Sequence, residues 1–491
     1  MAIMDVDREI KRNPARPRTN SSNRTGPKQK ALIAGSGLAG LACAKRLVDA
    51  GYQVELVEAE AQFGGRTASW TDPADGEQIE SGVHTFFGVY SHLIRLLNEV
   101  GVNDDRMLSW SDKVGFLQPN NQLNIFAIDP LRDLPGVIAG VAGNNKLLGP
   151  LDKLTVGATF VNGLLRRERY EGHTVAELAQ DGGVDRQTFE RVLRPLTRGL
   201  AFCEPEELSA YVLLTLLLHG ITNPFSLRAG TFQGGMTEVM INPIVRWLRN
   251  RGAVLRTNSP VRVIHSQVNS QGLPKITGFE LESGEVLPGD TFVSAMPLEV
   301  LKPMIPPSLL QLSYFQKIER IETVPAIAVQ LWFDRTFVHR DEFIYLAGSP
   351  FIVFQDESRE TFPYPGSRIS GQITARYTDG YTDQQYIDLA LRELHRFIPA
   401  SAQAQLNKAV VVRHQAIAIK PGVQALRPNQ ASPVANFFLA GDYTRQDWFT
   451  TMEGATRSGE MAAAAIQRRR GSGHEAFSAS RRRQSGVLTA R

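Results

Sequence analysis

The hydrophobic pattern of this chain starts at about residue 30. Residues 1–29 are polar, with Pro, Ser and Asn scattered among basic side chains, which predicts a disordered basic tail. Ala31–Ala34 is then a short apolar run, a strand by its length. Leu38–Ala50 carries apolar residues at helical spacing, and Gly51 stands where a C-terminal cap belongs. Gln53–Glu58 alternates and predicts a second strand. Together these segments make a βαβ opening. Residues 96–230 are mostly helical in pattern. Strand patterns return at Ala253–Arg256, Val261–His265, Ile276–Glu282 and Thr291–Ala295. Ala326–Phe333 and Arg368–Ala375 predict a sheet-rich region, and Phe437–Ala440 predicts one more short buried strand. A helix is expected at Gly454–Ala465, with order ending near Ile466 and a second basic tail over 468–491. No internal repeat is visible.

Composition sharpens this α/β picture. With 491 residues, 42% of them hydrophobic, the chain can build two or more cores. No run of about 18 apolar residues occurs, which argues against a transmembrane helix. The longest, near Tyr211–Leu218, reads as a buried helix. The net charge of +4 conceals an uneven distribution: residues 1–30 carry +5, residues 467–491 carry +6, and the body carries −7. Nucleic-acid binding by the folded part is therefore not indicated. The basic tails read as solvated ends, with contact to anionic lipid as the functional alternative. Cys43 and Cys203 form no metal-ligand pattern, so no metal is expected and a reducing compartment fits. The N-terminus has no apolar core of a secretory signal, and Asp5, Asp7 and Glu9 count against a transit peptide.

The clearest chemistry lies in Gly35-Ser36-Gly37-Leu38-Ala39-Gly40, a G-x-G-x-x-G between a predicted strand and a predicted helix. Gly35 allows the tight turn, Gly37 lets backbone approach a pyrophosphate, and Gly40 lets helix and strand pack closely. The helix N-terminus offers unpaired N–H groups to phosphate. Glu58, at the end of the next strand, is placed to accept ribose hydroxyls, with Ala59 beside it. These features fit NAD and FAD alike. Gly64-Gly65-Arg66, just beyond the acid, resembles the loop by which a large class of flavoproteins brings backbone and a cation to FAD, and so favours FAD.

Gly35–Gly40, Glu58 and Gly64–Arg66 resemble the flavin amine oxidase superfamily. The segment NFFLAGDYTRQDWFTTMEGATRSGEMAAAA, residues 436–465, is similar to the end of plant- and cyanobacterial-type phytoene and ζ-carotene desaturases. ESGVHTFFGVYSHLIRLLNEV, residues 80–100, closely resembles the ζ-carotene desaturase version of its segment. The resemblance runs from about residue 30 to 467. It implies a Rossmann-like FAD-binding domain, discontinuous over 30–95, 231–297 and 405–467. An α+β substrate-binding or lid domain is then inserted as 96–230 and 298–404. It implies non-covalent FAD: no cysteine lies beyond Cys203, so the usual C-terminal cysteinyl link is excluded. Asp442, after Gly441, is expected at the ribityl or pyrophosphate part, and Val261 backbone at the adenine. Gly82, Val83 and His84 are expected near the flavin. Met452, Glu453, Gly454 and Ala455 open the last helix, whose N–H groups favour negative charge at the flavin. His84 is a candidate proton carrier, with a hydrogen-bonded structural histidine as the plainer reading. The chain departs from the plant-type phytoene desaturases at Gly234–Val239, where Val239 replaces an arginine and Gly-Gly-Met follows the general superfamily form.

The activity implied is desaturation of a long apolar isoprenoid, most simply a carotene, with a quinone as electron acceptor. The cofactor carries the hydride chemistry, which suits a sequence without a catalytic dyad or metal cluster. A lipid substrate implies a peripheral membrane protein facing the cytoplasm or the plastid stroma. Pro130–Leu154 is the candidate membrane patch, with a lid helix as its alternative. Tyr211–Leu218 is either core or tunnel lining. Other readings are an amine oxidase, a hydroxysqualene-type enzyme or a carotene isomerase of the same superfamily, and a non-enzymatic prenyl-lipid escort protein.

Overall fold

The computed structural model describes residues 28–485, except 120–121, 128–149, 195–196, 199–202, 223–227, 269–271, 347, 375–377 and 379. Its centre is a five-stranded parallel sheet in the order Val254–Arg256, Gln53–Val57, Lys30–Ala34, Thr291–Ser294, Phe437–Leu439. The strands register as Leu32 with Phe292, and Val293 with Phe438. Both faces of the sheet are covered, so its inner strands are uniformly buried and read as apolar runs rather than alternating ones. The helix Leu38–Asp49 packs on one face beside the closing helix Met452–Ser485. Their backbones approach so closely that a Cβ at Gly459 would lie 2.1 Å from Ala39 O. The sheet thus draws its strands from three separated stretches of the chain.

A second, seven-stranded sheet runs Leu406–Ile417, Thr323–Phe333, Arg368–Thr374, Phe351–Asp356, Ile344–Leu346, Lys113–Leu117, Leu123–Ala127. Its core is filled by Val329, Leu331, Phe351, Phe354 and the helix Asp383–Phe397. One expectation is corrected. Residues 405–417, grouped with the cofactor domain by sequence, pair antiparallel with Thr323–Phe333, Val411 facing Val329. Among the described residues of 96–230 helices predominate, as expected, and strands join them: Leu108–Ser111 and Phe86–Phe87 both pair with Ala229–Phe232, and Lys113–Leu117 pairs with Leu123–Ala127. The expected strands at 261–265 and 276–282 form a hairpin, Val261–Val268 against Pro274–Leu281.

The C-terminal boundary also moves. The closing helix continues to Ser485 instead of ending near residue 467. Arginines read as solvated tail are anchors: Arg469 donates to Ser432 O, Val434 O and Ala435 O, and Arg470 lies over the Tyr52 ring. The apolar run Tyr211–Leu218 lies in the helix Ala210–Thr222, and Tyr211–Leu214 pack with Val175, Leu178, Ile419 and Phe449 as core. Most of the candidate membrane patch, residues 130–149, lies outside the described residues. Its last part opens the helix Pro150–Leu165, where Leu151 is 78% and Leu154 71% exposed.

Candidate cofactor site

The glycine turn separates two kinds of requirement. Gly35 has φ +101°, and a Cβ there would lie 2.6 Å from Ala295 O. At Gly40 a Cβ would lie 2.0 Å from Gly35 O. Both glycines are needed by the fold itself. Gly37 differs: its φ −61° and ψ 173° suit any residue, and its Cβ would meet only Gly64 O, at 4.0 Å. No packing demand of the chain explains a glycine there. A ligand backed against it does. The helix that follows has no side-chain cap, which leaves its first N–H groups to an anion.

Glu58 is buried at the end of its strand. Its Oε2 accepts from Ser36 N at 2.8 Å and Ser36 Oγ at 2.5 Å, and its Oε1 accepts from Glu60 N at 3.1 Å. The acid therefore braces the glycine turn, a role the sequence reading missed, and keeps lone pairs for ribose hydroxyls. Ala59 beside it is exposed, and Val261 is buried at the start of its hairpin. Gly64 donates to Ser36 O at 3.2 Å, so the Gly64–Arg66 segment lies directly against the turn. Arg66 reaches across the molecule: Nη2 donates to Asp442 Oδ1 at 2.7 Å and Nη1 to Gln415 O at 3.3 Å. Asp442, chiefly, holds the guanidinium more firmly protonated than usual, against the cost of burial. Glu299, which sequence did not single out, adds to the negative field around Arg66. Burial in turn raises the Glu299 carboxyl above its ordinary range.

Gly82 is buried, and His84 Nδ1 pairs with Gly82 O at 2.8 Å, so that nitrogen donates. Burial pushes the His84 imidazole down to about 4, and the nearby His414 and Arg66 push the same way. At neutral pH His84 is an uncharged, oriented ring. Val83 is half-buried beside it. In the departing loop, Met236 N donates to Glu80 Oε1 at 3.1 Å, which ties Gly234–Val239 to the strand before Gly82.

Met452 opens the closing helix next to Thr450, whose φ of +43° is rare for a β-branched residue. Gly454 N donates to Thr451 Oγ1 at 3.0 Å and Ala455 N to Thr451 O at 3.0 Å. Of the four residues, Met452 and Glu453 thus carry the N–H groups best placed for a ligand. The Glu453 carboxylate turns away and accepts from His92 N at 2.8 Å and Leu93 N at 2.9 Å, capping the helix Ser91–Glu99. Trp448, one of the residues weighed for an aromatic cage, is packed between Tyr90 and His219, with ring centroids 5.5 Å and 4.3 Å away.

The glycine cradle, the acid, the Arg66–Asp442 bridge and the helix start fit a flavin dinucleotide. The model of flavin containing amine oxidoreductases matches residues 38–467, and the chain belongs to that family. FAD is its cofactor. Similar proteins include the 15-cis-phytoene desaturase of Synechococcus elongatus, 31% identical over 89% of this chain and 95% of that one. The Capsicum annuum 15-cis-phytoene desaturase is 31% identical over 91% and 80%. The ζ-carotene desaturase of a Synechocystis strain is 30% identical over 89% and 97%. Among solved structures, an oxidoreductase from Methanosarcina mazei superposes with a TM-score of 0.68 at 15% identity, over 89% of this chain and 100% of that one. Putrescine oxidase bound to putrescine gives 0.63 at 16% identity, over 90% and 99%. Those two likenesses are of fold.

Proposed function

We propose that the protein desaturates a long apolar isoprenoid, a carotene of the phytoene or ζ-carotene type. The Arg66–Asp442 bridge carries the reading. It closes one cofactor cradle from the two ends of the chain, and the relatives that span both ends are carotene desaturases. FAD, when bound, supplies the hydride acceptor. The residues of the chain bind and orient. Gly35–Gly40 and the helix start would hold the pyrophosphate, Glu58 the ribose, Arg66 and Asp442 the segment between pyrophosphate and flavin. His84 keeps its proton on Nδ1, bonded to Gly82 O. It is a positioning group in this reading. A polyene spreads positive charge along its length, so loss of a proton from the neighbouring carbon needs no strong base. Alignment of the substrate and exclusion of water remain as the protein's contribution.

A quinone as electron acceptor and peripheral contact with a membrane, on its cytoplasmic or stromal side, belong to the same proposal. Exposed Leu151 and Leu154, at the end of the candidate membrane patch Pro130–Leu154, support the contact. Among the described residues no helix is long and apolar enough to cross a membrane. Expression in cells that make phytoene or ζ-carotene tests the reading, with a shift to more unsaturated pigment expected. Unchanged pigment in both, with turnover of an amine or a squalene derivative instead, sinks it.

A further inference from the structure

The loop from Gly441 to Thr451 joins the last strand of the parallel sheet to the closing helix and carries Asp442. Its carbonyl groups converge on one side chain. Arg427 Nη2 donates to Asp442 O at 2.7 Å and to Trp448 O at 3.2 Å. Its Nη1 donates to Gln446 O at 2.7 Å and to Gln424 Oε1 at 3.0 Å. The guanidinium also lies over the Phe449 ring, 4.3 Å from its centroid. Three loop carbonyls and one loop ring are thus held by a residue that lies outside the loop.

Arg427 is 3% exposed, and its Nε has no partner among the described residues. Among the described residues no carboxylate forms an ion pair with it. Asp442 and Asp447 act on it only through space, and burial brings the guanidinium down to about 10. It stays charged at neutral pH. A buried cation offset mainly by carbonyl dipoles projects its field further than one neutralised in a salt bridge. The clamp also bears on the closing helix. A Cβ at Gly454 would lie 2.9 Å from Trp448 O and 2.8 Å from Gln446 Nε2, both in the clamped loop. Thr450, between clamp and helix, sits at φ +43°, a conformation that persists only where surroundings impose it.

We propose that Arg427 is the positioning residue of the FAD-side loop and its source of fixed positive charge. It shapes Gly441–Thr451 from beneath, and its charge favours the electron-rich, reduced cofactor over the oxidised one. This rests on the FAD site described above.

The test uses the full-length holoenzyme and reads FAD release on dilution together with the cofactor's midpoint potential. Arg427→Lys keeps the charge and loses the planar fork. Its FAD affinity is expected to fall about tenfold with the potential nearly unchanged. Arg427→Met loses both, so affinity falls at least as far, and the potential drops by ~30 mV for each tenfold loss of preference for the two-electron-reduced form. Wild-type affinity in Arg427→Lys, or an unchanged potential in Arg427→Met, overturns the proposal. If Arg427→Met does not fold, the affinity of Arg427→Lys decides it. A wild-type protein that folds without flavin refutes the cofactor reading instead, which keeps the two failures apart.

Discussion

Two glycines of one motif should fail in opposite ways when substituted. Gly37→Val places its Cβ in the open, 4.0 Å from the nearest atom, on a backbone that valine tolerates. The cost to the flavin-free fold is that of a poorer helix N-cap, about 1 kcal/mol. Bound FAD, however, must approach that backbone, so the variant should lose it. With ligand at about a thousand times its Kd, binding contributes ~4 kcal/mol to stability, and that contribution disappears. Gly40→Ala is the reverse case. Its Cβ would overlap Gly35 O at 2.0 Å, so helix and strand must separate. Overpacking of that kind costs roughly 1–3 kcal/mol or more, with or without flavin. The assay is urea unfolding of each variant with and without added FAD, alongside flavin absorbance per mole of protein. Stoichiometric flavin in Gly37→Val, or a flavin-free Gly40→Ala as stable as wild type, refutes the division of labour between the two glycines.

The remaining expectations concern titrating groups. Glu460, paired with Arg46, Arg95 and His92, is held down to about 2 by those partners against the opposing effect of burial. A depressed acid stabilises above its unfolded pKa of about 4.5 and stops doing so as pH falls toward 2. Glu460→Gln should therefore cost up to about 3 kcal/mol at pH 7, at roughly 1.4 kcal/mol per pH unit, and nothing near pH 2. A gap between the urea midpoints that does not close in acid contradicts this. Glu357 is the opposite case, pushed up to about 7 by burial, with Arg368 opposing. Its contribution is complete below about pH 4.5 and lost as pH rises through 7, so Glu357→Gln should flatten the alkaline decline of wild type. Equal slopes for the two proteins between pH 5 and 8 would count against the raised value. His84→Gln should keep turnover within a few-fold and leave the pH profile between 5 and 8 unaltered. A loss of a hundredfold or more would restore His84 as a proton carrier.

The local half of the site was legible because its signals are short-range. A strand, Gly35–Gly40, a helix and Glu58 follow one another within a single βαβ unit, at spacings that the dinucleotide turn itself requires. The same holds for the buried strands at Thr291–Ser294 and Phe437–Leu439, whose apolar runs reflect a sheet covered on both faces. The misplaced boundaries arose where pairing was long-range. Leu406–Ile417 has a strand's pattern, but only its partner Thr323–Phe333 determines which sheet it joins.

Glu453 was assigned to the cofactor through its backbone N–H, and the motif did not place its carboxylate, which caps a helix 360 residues away in sequence. Arg427 bore no signal at all. An arginine in a Pro- and Gln-rich stretch looks solvated until the fold wraps three carbonyls around it. By itself, then, the amino-acid sequence determined the dinucleotide turn, the acid that braces it and the strands of the parallel sheet. Only the tertiary structure decided that Arg66 meets Asp442, and that Arg427 lies beneath the loop between them and the last helix. Backbone conformation is dictated by neighbours in sequence, whereas the partner of a buried charge is dictated by which distant segments the core brings together.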